Sequence, residues 1–142
     1  MYKAYKFRLY PNNKQKELLN KSFGCCRFIY NYYLNQIKEN KYQNAYTCIN
    51  DYTNNLKYEY QVLQEVDSTI LRKELFSLEE SFKRFFKNSC GYPKFKSKYD
   101  KNSYTTSAVY RKYKNKEYCN IEIDLDKKEI KLPKIKNVKI RG

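Results

Sequence analysis

Residues 2–10 read YKAYKFRLY, in which Tyr5, Phe7 and Leu9 alternate with Lys6 and Arg8. Alternation with a period of two is typical of a half-buried β-strand. Pro11 ends the pattern, and a lone strand needs hydrogen-bonding partners from elsewhere in the chain. The other strand patterns lie after residue 90. We therefore expect the N-terminal strand to pair with strands that the middle of the chain separates from it.

The middle of the chain carries three helix patterns. Asn12 and Gln15 resemble a capping box. Apolar residues then recur at helical spacing over roughly 13–39, with a break or kink expected near Gly24. A weaker pattern predicts a second helix over about 46–58.

The third helix has the clearest pattern, because its apolar residues follow one face over several turns. Asp67 or Ser68 is expected to cap its start, and Gly91 lies where the helix should stop. The seam faces the core and comprises Leu71, Leu75, Leu78, Phe82 and Phe85.

After Gly91 the pattern returns to a period of two. It predicts a strand over 103–113, a hairpin over 119–132 turned by DKKE, and a final strand through Val138 and Ile140. Two arrangements fit: separate lobes, or a small β-barrel whose first strand is split from the rest by a helical insertion. We favour the insertion because it supplies partners to the N-terminal strand. The predicted fold class is α+β, with a small β-barrel interrupted after its first strand by three helices.

The 142-residue chain has 30 basic and 15 acidic residues and a net charge of +15. Residues 1–27, 89–118 and 127–142 each carry a net charge of +6, whereas residues 40–82 carry −3. This excess predicts attraction to a polyanion, either nucleic acid or an anionic membrane. A membrane is disfavoured, because the best amphipathic helix uses its apolar side as a core seam and no apolar run could span a bilayer. We expect the cationic segments to converge on the sheet.

Catalytic chemistry has little support in the sequence. There is no histidine, and the five cysteines lack metal-ligand spacing, which favours reduced thiols in a cytoplasmic protein. Glu122, Asp124 and Asp126 could bind a divalent cation, but a solvated hairpin face is the favoured interpretation. We therefore expect no catalytic residue, no metal, no cofactor and no small-molecule substrate.

Nucleic-acid binding is better supported. Aromatic residues make up 18% of the chain and are interleaved with basic residues, as in GYPKFKSKY at 91–99. Basic side chains contact phosphates, and exposed rings stack on bases. The candidate contacts in the cationic segments are Lys6, Arg8, Lys94, Lys96, Lys98, Arg111 and Lys112.

Four stretches resemble one family in order and spacing: KAYKFRLYPNNKQKELLNKSFGCCRFIYNYYL at 3–34, EVDSTILRKELFSLEESFKRFF at 65–86, GYPKFKSK at 91–98 and IKLPKIKNVKIRG at 130–142. The family is TnpB/OrfB, the RNA-guided nucleases encoded by insertion sequences, whose N-terminal segment is described as a transposase helix-turn-helix domain. The resemblance covers essentially the whole chain.

The resemblance implies a wedge β-barrel formed by residues 1–10 and 91–142, interrupted by a helical recognition domain at 11–90. It also implies that the RuvC-like catalytic domain and the zinc-binding domain lie further along such a protein. The barrel here would then be incomplete, with an open edge and marginal stability. On this basis the chain alone would not be an enzyme.

The resemblance implies two partners, a guide RNA and the duplex DNA beside the target. Matching by position, the duplex would meet Tyr46, Asn50, Ser68, Thr69 and Arg72. Two other functions stay open: a truncated regulator that competes with the full-length nuclease, and an unrelated basic RNA-binding protein.

Overall fold

The structure, a computed structural model, describes residues 2–141. The chain divides into two compact units. The sheet unit contains the residues up to Asn20 and those from Ser107 onward, and the helical unit is Lys21–Thr106. The sequence places the functional boundaries after residues 10 and 90 instead, and that domain assignment stays a prediction.

The sheet unit holds a four-stranded antiparallel sheet of β1 (Arg8–Tyr10), β4 (Glu122–Asp124), β5 (Glu129–Leu132) and β6 (Lys136–Arg141). The strand order is β1-β6-β5-β4. The first strand pairs with the last, with Leu9 opposite Ile140, and the predicted 126–129 turn joins β4 to β5. This pairing confirms the α+β class with helices inserted after the first strand. Among residues 2–141 the sheet is open rather than a closed barrel.

Some strands are shorter than the alternation predicts. Strand β1 covers Arg8–Tyr10 only, because only these three residues of the N-terminal segment pair with residues of β6. The predicted 103–113 strand is reduced to β2 (Tyr110–Tyr113), which forms a separate hairpin with β3 (Lys116–Cys119). Residues 103–106 belong to the helical unit instead, where the Thr106 hydroxyl donates to Asp67 at 2.7 Å. Tertiary contacts therefore limit these strands more than the period does.

Helix α1 (Asn13–Glu39) begins at the predicted capping box. The Asn12 N–H donates to Gln15 Oε1, and the Gln15 N–H donates to Asn12 Oδ1, both at 2.9 Å. Of the break or kink expected near Gly24, the break is wrong, since the helix continues through this residue. Gly24 costs about 1 kcal/mol of helix propensity, but the adjacent Cys25 and Cys26 are buried in the core and hold the helix together.

The predicted second helix is a composite of α2 (Ala45–Asp51), a π-helical turn (Tyr52–Leu56) and α3 (Lys57–Glu59). Gln61–Gln64 then form a 3₁₀ turn. The Asn44 side chain caps α2 by accepting a hydrogen bond from the Thr47 N–H at 2.9 Å. The second helix is therefore present where the sequence predicts it, with one irregular turn.

Helix α4 (Ser68–Phe86) is capped by Asp67, whose carboxylate accepts the Thr69 N–H at 3.1 Å. The helix ends at Phe86, and the residue that stops it is Asn88 rather than Gly91. Asn88 has φ 60°, its N–H donates to the Phe85 carbonyl, and the Ser89 N–H donates to the Arg84 carbonyl. This pair of hydrogen bonds is a Schellman stop, in which asparagine tolerates the left-handed conformation.

The core of the helical unit lies between α1, α2 and α4. It includes the predicted seam residues Leu71, Leu75, Leu78 and Phe82 together with Ile29 and Leu34 of α1. Phe85 packs at its border. The sheet unit buries Ile135, Val138 and Ile140. None of the helices within residues 2–141 has the length and apolarity to cross a membrane.

Candidate nucleic-acid interface

One face of the four-stranded sheet is charged, and its charge changes sign across the strands. Because neighbouring residues on a strand point to opposite faces, the register places Arg8 of β1 with Lys139 and Arg141 of β6 on one face. On the same face at the far edge lie Glu122 and Asp124 of β4. The basic end of this face is therefore formed by the first and last strands together.

Arg8 and Arg141 lie directly opposite each other and share one aromatic ring. Their guanidinium carbons are 5.6 and 5.8 Å from the centroid of the Tyr10 ring. Among residues 2–141, neither has a carboxylate within ion-pair distance. Like charges opposite each other destabilise a sheet, so an anion between them would relieve the repulsion. Lys6, just before β1, is exposed.

The acidic edge of this sheet is organised by its own turn. Asp124 Oδ1 accepts hydrogen bonds from the N–H groups of Asp126 at 3.0 Å and Lys127 at 3.1 Å. Glu122 lies opposite Lys131. Within residues 2–141 no three His, Cys, Asp or Glu side chains gather as a metal site requires. The carboxylates thus serve the hairpin turn and the cross-strand pairing.

Arg111 and Lys112 lie on the β2–β3 hairpin. Arg111 faces Tyr118 and Lys112 faces Glu117 across the ladder, and all four residues are exposed. Consecutive residues on a strand point to opposite faces. The hairpin therefore offers these two basic side chains on different sides.

In the helical unit, α2 runs antiparallel to α4. Glu79 Oε2 accepts the Ala45 N–H at 3.0 Å, and the rings of Tyr46 and Phe76 meet edge to face at 5.5 Å. Nearer the start of α4, the positive charge of Arg72 lowers the pKa of Tyr52. Burial of Tyr52 is the larger effect, so its pKa is raised overall.

The antiparallel contact places four of the five predicted duplex contacts on neighbouring helix faces. Asn50 lies one turn after Tyr46 on α2, and Ser68 lies one turn before Arg72 on α4. All four side chains are exposed. They form the α2–α4 face.

The start of α4 is capped by an acidic side chain. Asp67 occupies the N-cap with a carboxylate that accepts the Thr69 N–H. A negative charge at this position already stabilises the helix dipole and repels phosphate. Because its backbone N–H is bonded to Asp67, Thr69 can contribute through its hydroxyl group rather than through that N–H.

The three lysines of 91–99 have different surroundings, although the segment has no regular secondary structure. Lys96 Nζ lies 3.0 Å from Glu74 Oε2 and 4.3 Å from the centroid of the Tyr30 ring. The Asn31 side chain holds the Lys96 backbone on both sides, accepting from its N–H and donating to its carbonyl. Lys94 and Lys98 are exposed. Lys96 is thus an internal anchor, and the other two lysines are available to a partner.

Sequence reasoning missed three contributors to the basic end of the sheet face. Lys139 and Arg141 join Arg8 only through the β1–β6 register, which periodicity cannot supply, whereas Tyr10 lies two positions after Arg8 on the same strand and so on the same face. The charged run at the end of the chain was the available signal. Phe76 was also missed, because it lies off the apolar seam of α4.

Residues 1–45 match a family described as the helix-turn-helix domain of OrfB from IS605. The matched part that the structure describes contains β1 and α1, and the second helix begins at its last residue.

Two relatives are candidate RNA-guided DNA endonucleases. One is from Streptomyces pristinaespiralis and the other, InsQ, is from Escherichia coli strain K12. Each is 29% identical, over 68% and 67% of this chain respectively. This chain spans 25% of the length of each relative. The comparisons confirm the resemblance to the N-terminal region of TnpB/OrfB proteins.

Proposed function

We propose that this chain, whose N-terminal region is of the TnpB/OrfB type, is the nucleic-acid-binding part of a transposon protein that holds a guide RNA and target-adjacent duplex DNA. The observation that carries the proposal is the Arg8–Arg141 pair on the sheet face. Two guanidinium groups face each other without a carboxylate partner among residues 2–141. Guanidinium groups bind phosphate through paired N–H donors.

In this proposal the sheet face contacts phosphates of structured RNA. Arg8, Lys139 and Arg141 lie on one face, so the strand of phosphates would follow β1 and β6. Double-stranded RNA is recognised mainly by shape and by backbone contacts, which needs positive charge at defined spacing rather than a base-reading helix. The acidic far edge would keep the RNA at the basic end.

The α2–α4 face would meet the duplex. Asn50 carries an amide and Arg72 a guanidinium, and these groups form paired hydrogen bonds with adenine and guanine edges. Tyr46 and the hydroxyl of Ser68 lie on the same face and would contact the backbone. The same unit offers Lys94 and Lys98 to phosphates, whereas Lys96 has an internal role.

The assigned role is binding rather than cleavage. The thiols are free, which agrees with a reducing, cytoplasmic setting.

The test is a salt series of binding constants for a structured RNA and for a DNA duplex. Several phosphate contacts should give a log–log slope of about −4 or steeper. The Arg8→Ala and Arg141→Ala variants should each make the RNA slope shallower by about one. Lys131→Ala is the matched control, because Lys131 lies on the same sheet face opposite Glu122. A flat salt response of the unmodified chain, or equal effects of all three variants, would contradict the proposal.

A further inference from the structure

A groove of about 420 Å³ lies in the helical unit between the C-terminal half of α1 and the segment that follows α4. It is lined by Leu34, Lys38, Gly91, Tyr92, Pro93, Lys94 and Phe95. We propose that this aromatic groove binds an unpaired nucleotide of a single strand. The proposal rests on the nucleic-acid-binding function above and adds a site that recognises bases outside a duplex.

The charge of the groove selects the class of ligand. Lys38 and Lys94 contribute two ammonium groups, and none of the lining residues is acidic. Lys38 Nζ lies 5.5 Å from the centroid of the Phe95 ring. The ammonium thus lies over the ring, and the pair presents a cation for a phosphate next to an aromatic surface for a base. An apolar peptide would gain nothing from the two charges.

The two rings of the groove differ in their support. Tyr92 packs edge to face against Phe82 at 5.4 Å and Phe85 at 5.2 Å, so it is fixed to the core. Phe95 is 48% exposed, and no other ring of residues 2–141 stacks on it. An exposed phenylalanine beside a fixed tyrosine is a platform with an uncovered apolar surface. Base stacking would cover it.

The aromatic lining of the groove favours unpaired bases over paired ones. In a duplex the faces of the bases are already stacked, and only their edges are presented in the grooves. A base must leave the stack to lie against an aromatic side chain. The aromatic groove is therefore expected to distinguish a single strand from a duplex, whereas the α2–α4 face is not.

The test uses the full chain and three fluorescein-labelled probes: an oligouridylate of about 12 nucleotides, an abasic strand with the same number of phosphates, and a DNA duplex. The groove variant is Lys94→Ala with Phe95→Leu. The matched control is Lys98→Ala with Tyr99→Leu, because Tyr99 is 87% exposed, carries Lys98 over its ring and does not line the groove. Both variants lose one charge and one ring from the same segment.

We expect the groove variant to bind oligouridylate about 5- to 150-fold more weakly than the control variant, since a stacked base contributes that range of affinity. The two variants should bind the abasic strand and the duplex equally. Circular dichroism verifies the helices of each variant. If the groove variant does not fold, Phe95→Leu alone decides the question, since leucine keeps the side chain apolar.

Equal affinity of the two variants for oligouridylate would overturn the groove assignment and leave phosphate-driven binding intact. A groove variant that loses the abasic strand as strongly as oligouridylate would also overturn it. Failure of the unmodified chain to bind RNA or duplex in a salt-dependent way would instead refute the proposed function.

Discussion

Replacing Lys96 by alanine should destabilise the helical unit far more than replacing Lys98. Glu74 is almost completely buried, with 9% of its side chain exposed, and Lys96 is its ion-pair partner at 3.0 Å. Removing one partner of a buried pair leaves the other charge without compensation, at a cost of about 3–5 kcal/mol. The Lys96 side chain is 36% exposed, so water weakens the ion pair and reduces the cost of losing it. Fully exposed surface ion pairs contribute only about 0–1 kcal/mol to stability.

The contact of Lys96 with the Tyr30 ring adds a further loss of about 0.5–1 kcal/mol. Together these terms predict that Lys96→Ala lowers the free energy of unfolding by about 2–3 kcal/mol. Lys98→Ala should change the free energy of unfolding by no more than about 0.5 kcal/mol, because Lys98 is exposed. The assay is urea unfolding followed by the helical circular dichroism signal, which reports mainly on the unit that contains Lys96.

A double-mutant cycle with Lys96→Met and Glu74→Gln isolates the pair. We expect the free energy of unfolding of the double variant to fall by less than the summed losses of the two single variants, with a difference of about 1 kcal/mol or more. The same variants separate stability from binding: at low temperature Lys98→Ala should reduce the salt slope for RNA and Lys96→Met should not. If Lys96→Ala costs no more than Lys98→Ala, the internal role of Lys96 is refuted.

Three further outcomes follow from the helical unit. Asn88→Ala should lower the free energy of unfolding by about 1 kcal/mol, because a Cβ without a polar side chain disfavours φ 60°; Asn88→Gly is the control and should be neutral or stabilising. With a disulfide reagent at pH 8, exposed Cys90 should react first, and buried Cys25, Cys26 and Cys48 only upon unfolding, in stopped-flow absorbance. Burial raises the pKa of Cys48 from 9.0 to about 11. The contribution of the buried, protonated thiol to the free energy of unfolding is therefore complete below pH 9 and is lost as the pH rises towards 11. Urea midpoints should fall over that window, and less steeply in Cys48→Ala; midpoints that do not change would contradict the burial of this thiol.

The sequence alone determines the features that depend on residues a few positions apart. The reciprocal hydrogen bonds of Asn12 and Gln15, the Asp67 cap and the seam of α4 all follow from helical spacing. They are present in the structure as predicted. The order of strands and helices also follows from periods of two and 3.6, and it was enough to predict that β1 belongs to a sheet formed mostly after residue 90.

Only the tertiary structure decides which of several similar residues has which environment. Lys94, Lys96 and Lys98 look alike in sequence, yet only Lys96 is held by Asn31 and Glu74, which lie 65 and 22 positions away. Arg141 opposes Arg8 because of a register that the turn after β5 and the pairing of β6 establish, not because of its own neighbours. The physical reason is that charge and burial are properties of position in space, whereas periodicity reports only local backbone geometry.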